Sequence, residues 1–184
     1  PVQEPYSIRC APHVIGLLWD TLAWTGQWLT VEINSSNDNP LFDAATDTVH
    51  NSGNFYGGHV AHAAHAITSA AASVADLLDR QLQLIVDDKY SRGLPANLSA
   101  ATGPDAGLHH GFKGMQLCCS AMTAEAMKQC NPATIHSRST ECHNQDKVSM
   151  GAIAARDPRP IVQIAQNIRA LHLIARAHSP RLRG

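Results

Sequence analysis

The sequence has few charged residues and few aromatic residues for a chain of 184 residues. Asp, Glu, Lys and Arg make up 16% of the chain and Phe, Trp and Tyr 5%, whereas 44% is hydrophobic. A chain with so little charge has to bury much of its surface, so we expect helices packed closely on other helices, including those of other subunits. The net charge of -1 and the pI near 7 give no support to nucleic-acid binding.

The sequence also lacks the motifs of several common protein classes. No apolar run approaches the roughly 20 residues that a membrane span requires, so we expect neither a span nor a secretion signal. There is no glycine-rich phosphate loop, no GxSxG turn and no CxxC pair. The cysteines lack the paired spacing of zinc sites, which favours reduced thiols in a cytoplasmic protein. These cysteines are Cys10, Cys118, Cys119, Cys130 and Cys142.

Apolar residues recur at spacings of three and four and predict four helices. The first covers about residues 11–34 and contains all three tryptophans. The second covers about residues 59–90 and has an alanine-rich, heptad-like seam. The third covers about residues 111–130. The fourth is predicted over residues 148–178, and Pro160 should break or kink it at a cost of about 3 kcal/mol.

The remaining segments predict little regular structure. Residues 1–10 should be extended or turn-like, because prolines at positions 1 and 5 disfavour helix in the residues before them. Residues 41–54 predict a small β-hairpin that pairs LF with TVH, and residues 91–110 predict a loop. The fold class is therefore all-α, a long-helix bundle with one small β-hairpin and no internal domain boundary over residues 1–184.

A polar stretch, ECHNQDKVSMG at residues 141–151, precedes small apolar residues. Carboxylates and carboxamides side by side are costly to bury unless they pair with each other or with a ligand. This composition indicates a site that leads into a buried helix. The alternative is an ordinary polar turn, with Asn144 or Asp146 as the helix cap.

Two further groups of residues could carry chemistry. Tyr6 and Arg9 lie three apart, and a phenol beside a guanidinium can serve as an acid or base beside a carboxylate clamp. The alternative is a surface tyrosine and an arginine paired with Glu4. His59 and His62 could bind a metal, but the sequence has no HExxH motif and packing histidines are the simpler interpretation, so we predict no metal site.

Six motifs in order resemble one family: PVQEPYSIRC, EINSSNDNPLF, NSGNFYGGHVA, DRQLQLIVD with RGLP, GLHHGFKGMQ and ECHNQDKVSMGAIAAR. They are similar to the second half of the aromatic amino acid ammonia-lyases and 2,3-aminomutases, which include the histidine, tyrosine and phenylalanine ammonia-lyases. The resemblance covers about residues 1–157. Two departures are the prolines of RDPRP within a helix that is continuous in the family, and the end of the sequence where the family has further helices.

The resemblance implies roles for residues near the start of the sequence. Tyr6 of PYSIR would be a catalytic acid or base. Arg9 would hold the substrate carboxylate, and Gln3 would support the surroundings of the prosthetic group. Such a site needs a fixed cation for the carboxylate and a base for an unactivated benzylic proton, so this residue set suits the reaction.

The resemblance also implies roles for four later residues. Phe55 of GNF would pack on the prosthetic group or the substrate ring. Asn144 and Gln145 would hydrogen-bond within the site, and Glu141 would lie near the substrate amino group as a catalytic residue.

The family's electrophile is a methylidene-imidazolone that forms from an Ala-Ser-Gly tripeptide in the first half of the family's chain. No Ala-Ser-Gly occurs in this sequence, which starts with PVQEP rather than Met. We therefore expect this chain alone to be inactive and to need the N-terminal half, in cis or as a second polypeptide. The resemblance further implies a homotetramer in which each active site draws on three subunits.

Three alternatives stay open at this stage. The pair Asn144-Gln145, with Glu141 upstream, is more similar to phenylalanine and tyrosine enzymes than to histidine ammonia-lyases, which tend to carry Gln-Glu there. A histidine ammonia-lyase or an aminomutase fragment is the second interpretation of the same motifs. The third is a helical assembly module that has lost the chemistry.

Overall fold

The computed structural model describes residues 2–183, and this part of the chain is mainly helical. Its helices, in chain order, are α1 (Tyr6–Arg9), α2 (Ala11–Ile33), α3 (Gly58–Val86), α4 (Lys113–Lys128), α5 (Gly151–Arg156) and α6 (Pro158–His178). Two short strands, β1 (Leu41–Asp43) and β2 (Thr48–His50), pair antiparallel with Leu41 opposite His50. The predicted all-α bundle with one small hairpin is confirmed.

The long helix α3 is the centre of the bundle and contacts α1, α2, α4, α5 and α6. Small side chains on α3 allow this close packing, because alanine lets neighbouring backbones approach. The buried alanines of α3 are Ala61, Ala63, Ala70, Ala71, Ala72 and Ala75. Towards its C-terminal end, Leu82 and Val86 join Cys119 of α4 and Ile168 of α6 in the largest apolar cluster.

A buried polar network joins α3 to α4. The carboxylate of Asp79, only 2% exposed, accepts hydrogen bonds from Ser120 Oγ and Gln83 Nε2, each at 2.8 Å. Gln116 Nε2 in turn donates to Ser120 Oγ at 2.8 Å. Burial, with the nearby Asp79 carboxylate, raises the pKa of the Cys119 thiol to about 12.

The start of the described chain differs from the prediction. Residues 6–9 form helix α1, whereas extended or turn-like structure was predicted for residues 1–10; position 1 lies outside the described residues. Pro5 stands at the N-cap with φ -55° and ψ 155°. A proline restricts the residue before it rather than the residues after it, so a helix can begin directly after Pro5.

The fourth predicted helix begins later than predicted and is divided in two. Val148 is not helical, because Met150 adopts a left-handed backbone with φ 58° and the helix starts at Gly151. Asp157 separates α5 from α6, as the prolines of RDPRP predict. Pro158 and Pro160 fall in the first turn of α6, where backbone N–H groups have no intrahelical partner, so the missing donors cost little.

Candidate functional site

An open cleft of about 1040 Å³ lies beside the N-terminal end of α3. It is lined by the two ends of the hairpin segment, by Phe55 and Tyr56 of the 3-10 turn Asn54–Tyr56, and by Glu141 and residues 144–153. Four of the predicted site residues line this cleft: Phe55, Glu141, Asn144 and Gln145. Phe55 and Glu141, which are 86 positions apart in the sequence, thus line the same cleft.

The polar wall of the cleft is a tight loop closed by Thr140 and Gln145. The Thr140 N–H donates to the Gln145 carbonyl at 2.9 Å, and the Gln145 N–H donates to the Thr140 carbonyl at 3.3 Å. Within the loop, Glu141, Cys142 and His143 have φ values of 49°, 52° and 69°. Non-glycine residues seldom adopt this left-handed region, and each costs of order 1–3 kcal/mol, so the loop conformation is strained.

The side chains of this wall are partly paired with each other. Asn144 Nδ2 donates to Glu141 Oε2 at 3.3 Å, and Thr140 Oγ1 donates to Gln145 Oε1 at 3.1 Å. Both carboxamides and the carboxylate are exposed to the cleft. Asn144 and Gln145 therefore retain hydrogen-bonding capacity that a ligand can take up.

The expected buried helix after this stretch is wrong, and so is the alternative of a helix cap. Residues 141–147 are exposed, and between residues 148 and 155 only Ala154 is buried. Neither Asn144 nor Asp146 caps a helix, because α5 starts at Gly151 without a side-chain cap.

The opposite wall holds Phe55, whose side chain is 49% exposed. Gly57 ends its turn with φ 67°, a conformation that favours glycine. A Cβ at Gly58 would lie 2.7 Å from the Tyr56 ring, so a glycine is needed for the turn to run directly into α3.

The other predicted group, Tyr6 and Arg9, lies on α1. The Arg9 Cζ atom is 4.6 Å from the centroid of the Tyr6 ring, a cation–π contact, and Tyr6 is 71% exposed. Arg9 does not pair with Glu4, which instead pairs with Arg92. Gln3 is exposed in a bend just before α1. The cation and the phenol are therefore adjacent and open to a ligand.

Within one chain these two groups lie at opposite ends of α3. Helix α1 is joined to α3 at Gln81, whose Nε2 donates to the Ser7 carbonyl at 2.8 Å, whereas the cleft adjoins Gly58. With a rise of 1.5 Å per residue, positions 58 and 81 are about 35 Å apart along the helix. One amino-acid substrate cannot touch both groups of a single chain.

The histidines at the start of α3 pack against tryptophans of α2. The His59 ring lies 5.0 Å from the Trp28 ring, and the His62 ring lies 6.5 Å from Trp24. Burial, with the neighbouring His62, lowers the pKa of His65. Over residues 2–183 no three His, Cys, Asp or Glu side chains group closely enough to hold a metal ion.

The cleft has lining residues that the sequence analysis missed. Asp38 and Asn39 line it before the hairpin, and Asn51 and Ser52 line it after the hairpin. The Ser52 N–H donates to Asn39 Oδ1 at 3.0 Å, which ties the two ends together. The turn-forming stretch SSNDNP, within the motif EINSSNDNPLF, was the available signal, but no site role was predicted for it.

The fold is a helical bundle built on α3, with one of these two groups of residues at each end of that helix. Residues 1–184 match the family described as aromatic amino acid lyase, and the chain belongs to this family. In the part of the chain that the structure describes, no helix is long and apolar enough to cross a membrane.

Individual relatives share both sequence and structure with the chain. It is 43% identical to a tyrosine ammonia-lyase of Cereibacter sphaeroides over 98% of this chain and 34% of the relative. It is 36% identical to a histidine ammonia-lyase of Caenorhabditis elegans over 95% of this chain and 25% of the relative. The structure of Pantoea agglomerans phenylalanine aminomutase superimposes with a TM-score of 0.92 at 36% identity, covering 100% of this chain and 35% of that one. The chain thus spans about a third or less of the length of these relatives.

Proposed function

We propose that residues 1–184 form the C-terminal portion of an ammonia-lyase that converts an aromatic L-amino acid to an arylacrylate and ammonia. The observation that carries this proposal is the cleft that gathers Phe55, Glu141, Asn144 and Gln145. An aromatic ring beside amides and a carboxylate suits a substrate with an aryl group and an amino group.

The roles within the site follow from the chemistry of the side chains. Arg9 binds the substrate carboxylate, since a guanidinium presents two parallel donors. Tyr6 moves a proton, and its hydroxyl is unobstructed on the face of α1. Glu141 lies near the substrate amino group and accepts hydrogen bonds from it, held by Asn144.

The residues present fit a methylidene-imidazolone group supplied by an N-terminal half. Phe55 offers a half-exposed ring, and the exposed carboxamides of Asn144 and Gln145 offer donors and acceptors for a polar heterocycle. Gln3, which lies just before α1, would add a third carboxamide from another subunit. When bound, this group supplies the electrophile that activates the substrate for loss of ammonia.

The two ends of α3 require more than one subunit for a complete site. We propose a homotetramer in which Tyr6 and Arg9 of one subunit face the cleft of another. Large apolar side chains on α2 support this assembly: Trp19 is 75% exposed and Ile33 79%. Each such side chain that is fully buried between subunits stabilises the assembly by about 1.5–3 kcal/mol.

The preferred substrate is phenylalanine or tyrosine. The pair Asn144-Gln145 supports this choice, as does the 43% identity to a tyrosine ammonia-lyase. A second candidate is a 2,3-aminomutase, which the similarity to Pantoea agglomerans phenylalanine aminomutase favours. An aminomutase would return ammonia to the neighbouring carbon and release a β-amino acid.

The test is an assay of the full-length protein with phenylalanine, tyrosine and histidine. We expect cinnamate or coumarate, followed by ultraviolet absorbance, and chromatography would reveal a β-amino acid if the protein is an aminomutase. Urocanate as the sole product would contradict the preferred substrate. A folded, complete assembly without any product would favour the assembly module instead.

A further inference from the structure

Helix α1 is too short to hold its own position. It has four residues, from Tyr6 to Arg9, and no side chain caps its N-terminus. Isolated helices of this length are unstable in water, because one turn fixes many dihedral angles for few hydrogen bonds. The orientation of Tyr6 and Arg9 must therefore come from contacts between α1 and the rest of the fold.

One directed contact ties α1 to the central helix. Gln81, half-buried on α3, donates from Nε2 to the Ser7 carbonyl at 2.8 Å. Because α1 ends at Arg9, the Ser7 carbonyl is among the last carbonyls of a helix, which commonly lack an intrahelical partner. The Gln81 side chain supplies a partner at the residue that follows Tyr6.

A second contact acts on the segment before α1 and is weaker. Glu4 pairs with Arg92, but their side chains are 38% and 67% exposed. Exposed ion pairs contribute about 0–1 kcal/mol and are screened by salt. Gln81 is therefore the main polar restraint on α1 among the residues that the structure describes.

We propose that Gln81 is a positioning residue: it holds α1 through the Ser7 carbonyl and so sets where Tyr6 and Arg9 meet the substrate. This inference rests on the proposed function, in which Tyr6 moves a proton and Arg9 binds the carboxylate. A displacement of about 1 Å at a reacting group can cost on the order of 100-fold in rate. Loss of one hydrogen bond at Gln81 should therefore affect the rate far more than the stability.

The experiment compares three variants of the full-length enzyme. Gln81→Met keeps the length of the side chain but removes the donor, whereas Gln81→Lys keeps a donor that can reach the Ser7 carbonyl. The control is Gln163→Met on the exposed face of α6, where Gln163 contacts Asn167. We expect Gln81→Met to lower kcat about 10- to 100-fold. Gln81→Lys should retain most of the rate, and Gln163→Met should match the wild type.

A merely structural role would give a different result. If kcat of Gln81→Met and Gln81→Lys falls in proportion to a loss of Tm, or if Gln81→Met has a wild-type kcat, the inference is wrong. Combination with Tyr6→Phe gives a second readout. Because part of the effect of Gln81 acts through Tyr6, the loss of kcat caused by Gln81→Met should be smaller in the Tyr6→Phe background than in the wild type, whereas fully additive losses contradict the inference.

The same set separates this inference from the proposed function. If Tyr6→Phe is impaired while Gln81→Met is not, only the role of Gln81 fails. If Tyr6→Phe itself has a wild-type rate, the proposed function of Tyr6 fails, and the inference fails with it.

Discussion

The two ends of α3 hold different kinds of chemistry on different kinds of structure. At the C-terminal end, Tyr6 and Arg9 lie on a short helix, exposed and in contact with each other. At the N-terminal end, a cleft is built from a strained loop and a 3-10 turn that present Glu141, Asn144 and Phe55. The first end offers a cation and a phenol, and the second offers an aromatic ring, amides and a carboxylate.

In the function that we propose, this difference leaves each end with only part of a site. An aromatic amino acid substrate needs a cation for its carboxylate and a pocket for its other groups, and α3 keeps these about 35 Å apart within a chain. In the proposed tetramer, the central helix is a spacer that presents each half-site to a neighbouring subunit. The predictions below test whether the ends differ as described, beginning with the largest expected effect.

The largest effect should come from the phenol at the α1 end. We expect Tyr6→Phe in the full-length enzyme to lower kcat by about 10²- to 10⁴-fold with little change in KM, because general acid–base catalysis contributes that much. Steady-state kinetics from product absorbance would measure both constants. The control is Tyr90→Phe, an exposed tyrosine beyond α3. Equal kcat values for the two variants would contradict the assignment of Tyr6.

A smaller effect should come from the buried network beside the α1 end. Ser120→Ala removes a hydrogen bond to the buried Asp79 carboxylate and should lower the free energy of unfolding by about 1–3 kcal/mol. Urea denaturation would measure it. The matched control is Ser69→Ala, an exposed position on α3. If both variants were destabilised equally, the network would not be what stabilises this end.

The smallest effect is on the pH dependence of stability, which should also differ between the two ends of α3. Burial, with the nearby Arg176, lowers the pKa of His172 on α6 from 6.5. The unfolded chain then binds a proton near pH 6.5 while the folded chain does not, so stability should fall as the pH drops below 6.5. The measurement is thermal unfolding between pH 7.5 and pH 5, a range that spans the reference pKa of histidine at about 6.5. Over this range, the variant His172→Gln should lose less stability than the exposed control His109→Gln.

The hairpin at the cleft end should respond at a lower pH. Hydrogen bonds from the Thr46 hydroxyl and the Ala45 N–H lower the pKa of Asp43 from 3.8. The stability that the ionised Asp43 carboxylate contributes is present above pH 3.8 and is lost as the pH falls through the lowered pKa. A hairpin signal that changed over the same pH range as the stability linked to His172 would contradict this separation.

The sequence predicted the long helices better than the loops that make the site. The alanine seam of α3 and the hairpin pattern LF–TVH follow regular spacing, and both elements form where predicted. The left-handed residues 141–143 and Met150 follow no such spacing, because their conformations are imposed by hydrogen bonds such as that between Thr140 and Gln145. The predicted start at Val148 therefore failed.

The site residues show the same limit. The family motifs predict site roles for Tyr6, Arg9, Phe55, Glu141 and Asn144, but no motif states how far apart two of them lie. Distance depends on where α1 and the cleft attach to α3, which is a matter of tertiary packing. The separation into two ends, and the contact of Gln81 with the Ser7 carbonyl at one of them, became apparent only in the structure.

The most direct test of the two-ended account is complementation between subunits. One full-length variant would carry Tyr6→Phe, and a second would carry both Asn144→Ala and Gln145→Ala in the cleft. The two variants would have different tags. Each should be nearly inactive alone. When they are co-expressed in equal amounts, random assembly should restore roughly a quarter of the wild-type activity, because one quarter of the sites receive two intact halves. Activity no higher than that of the separate variants would contradict the account.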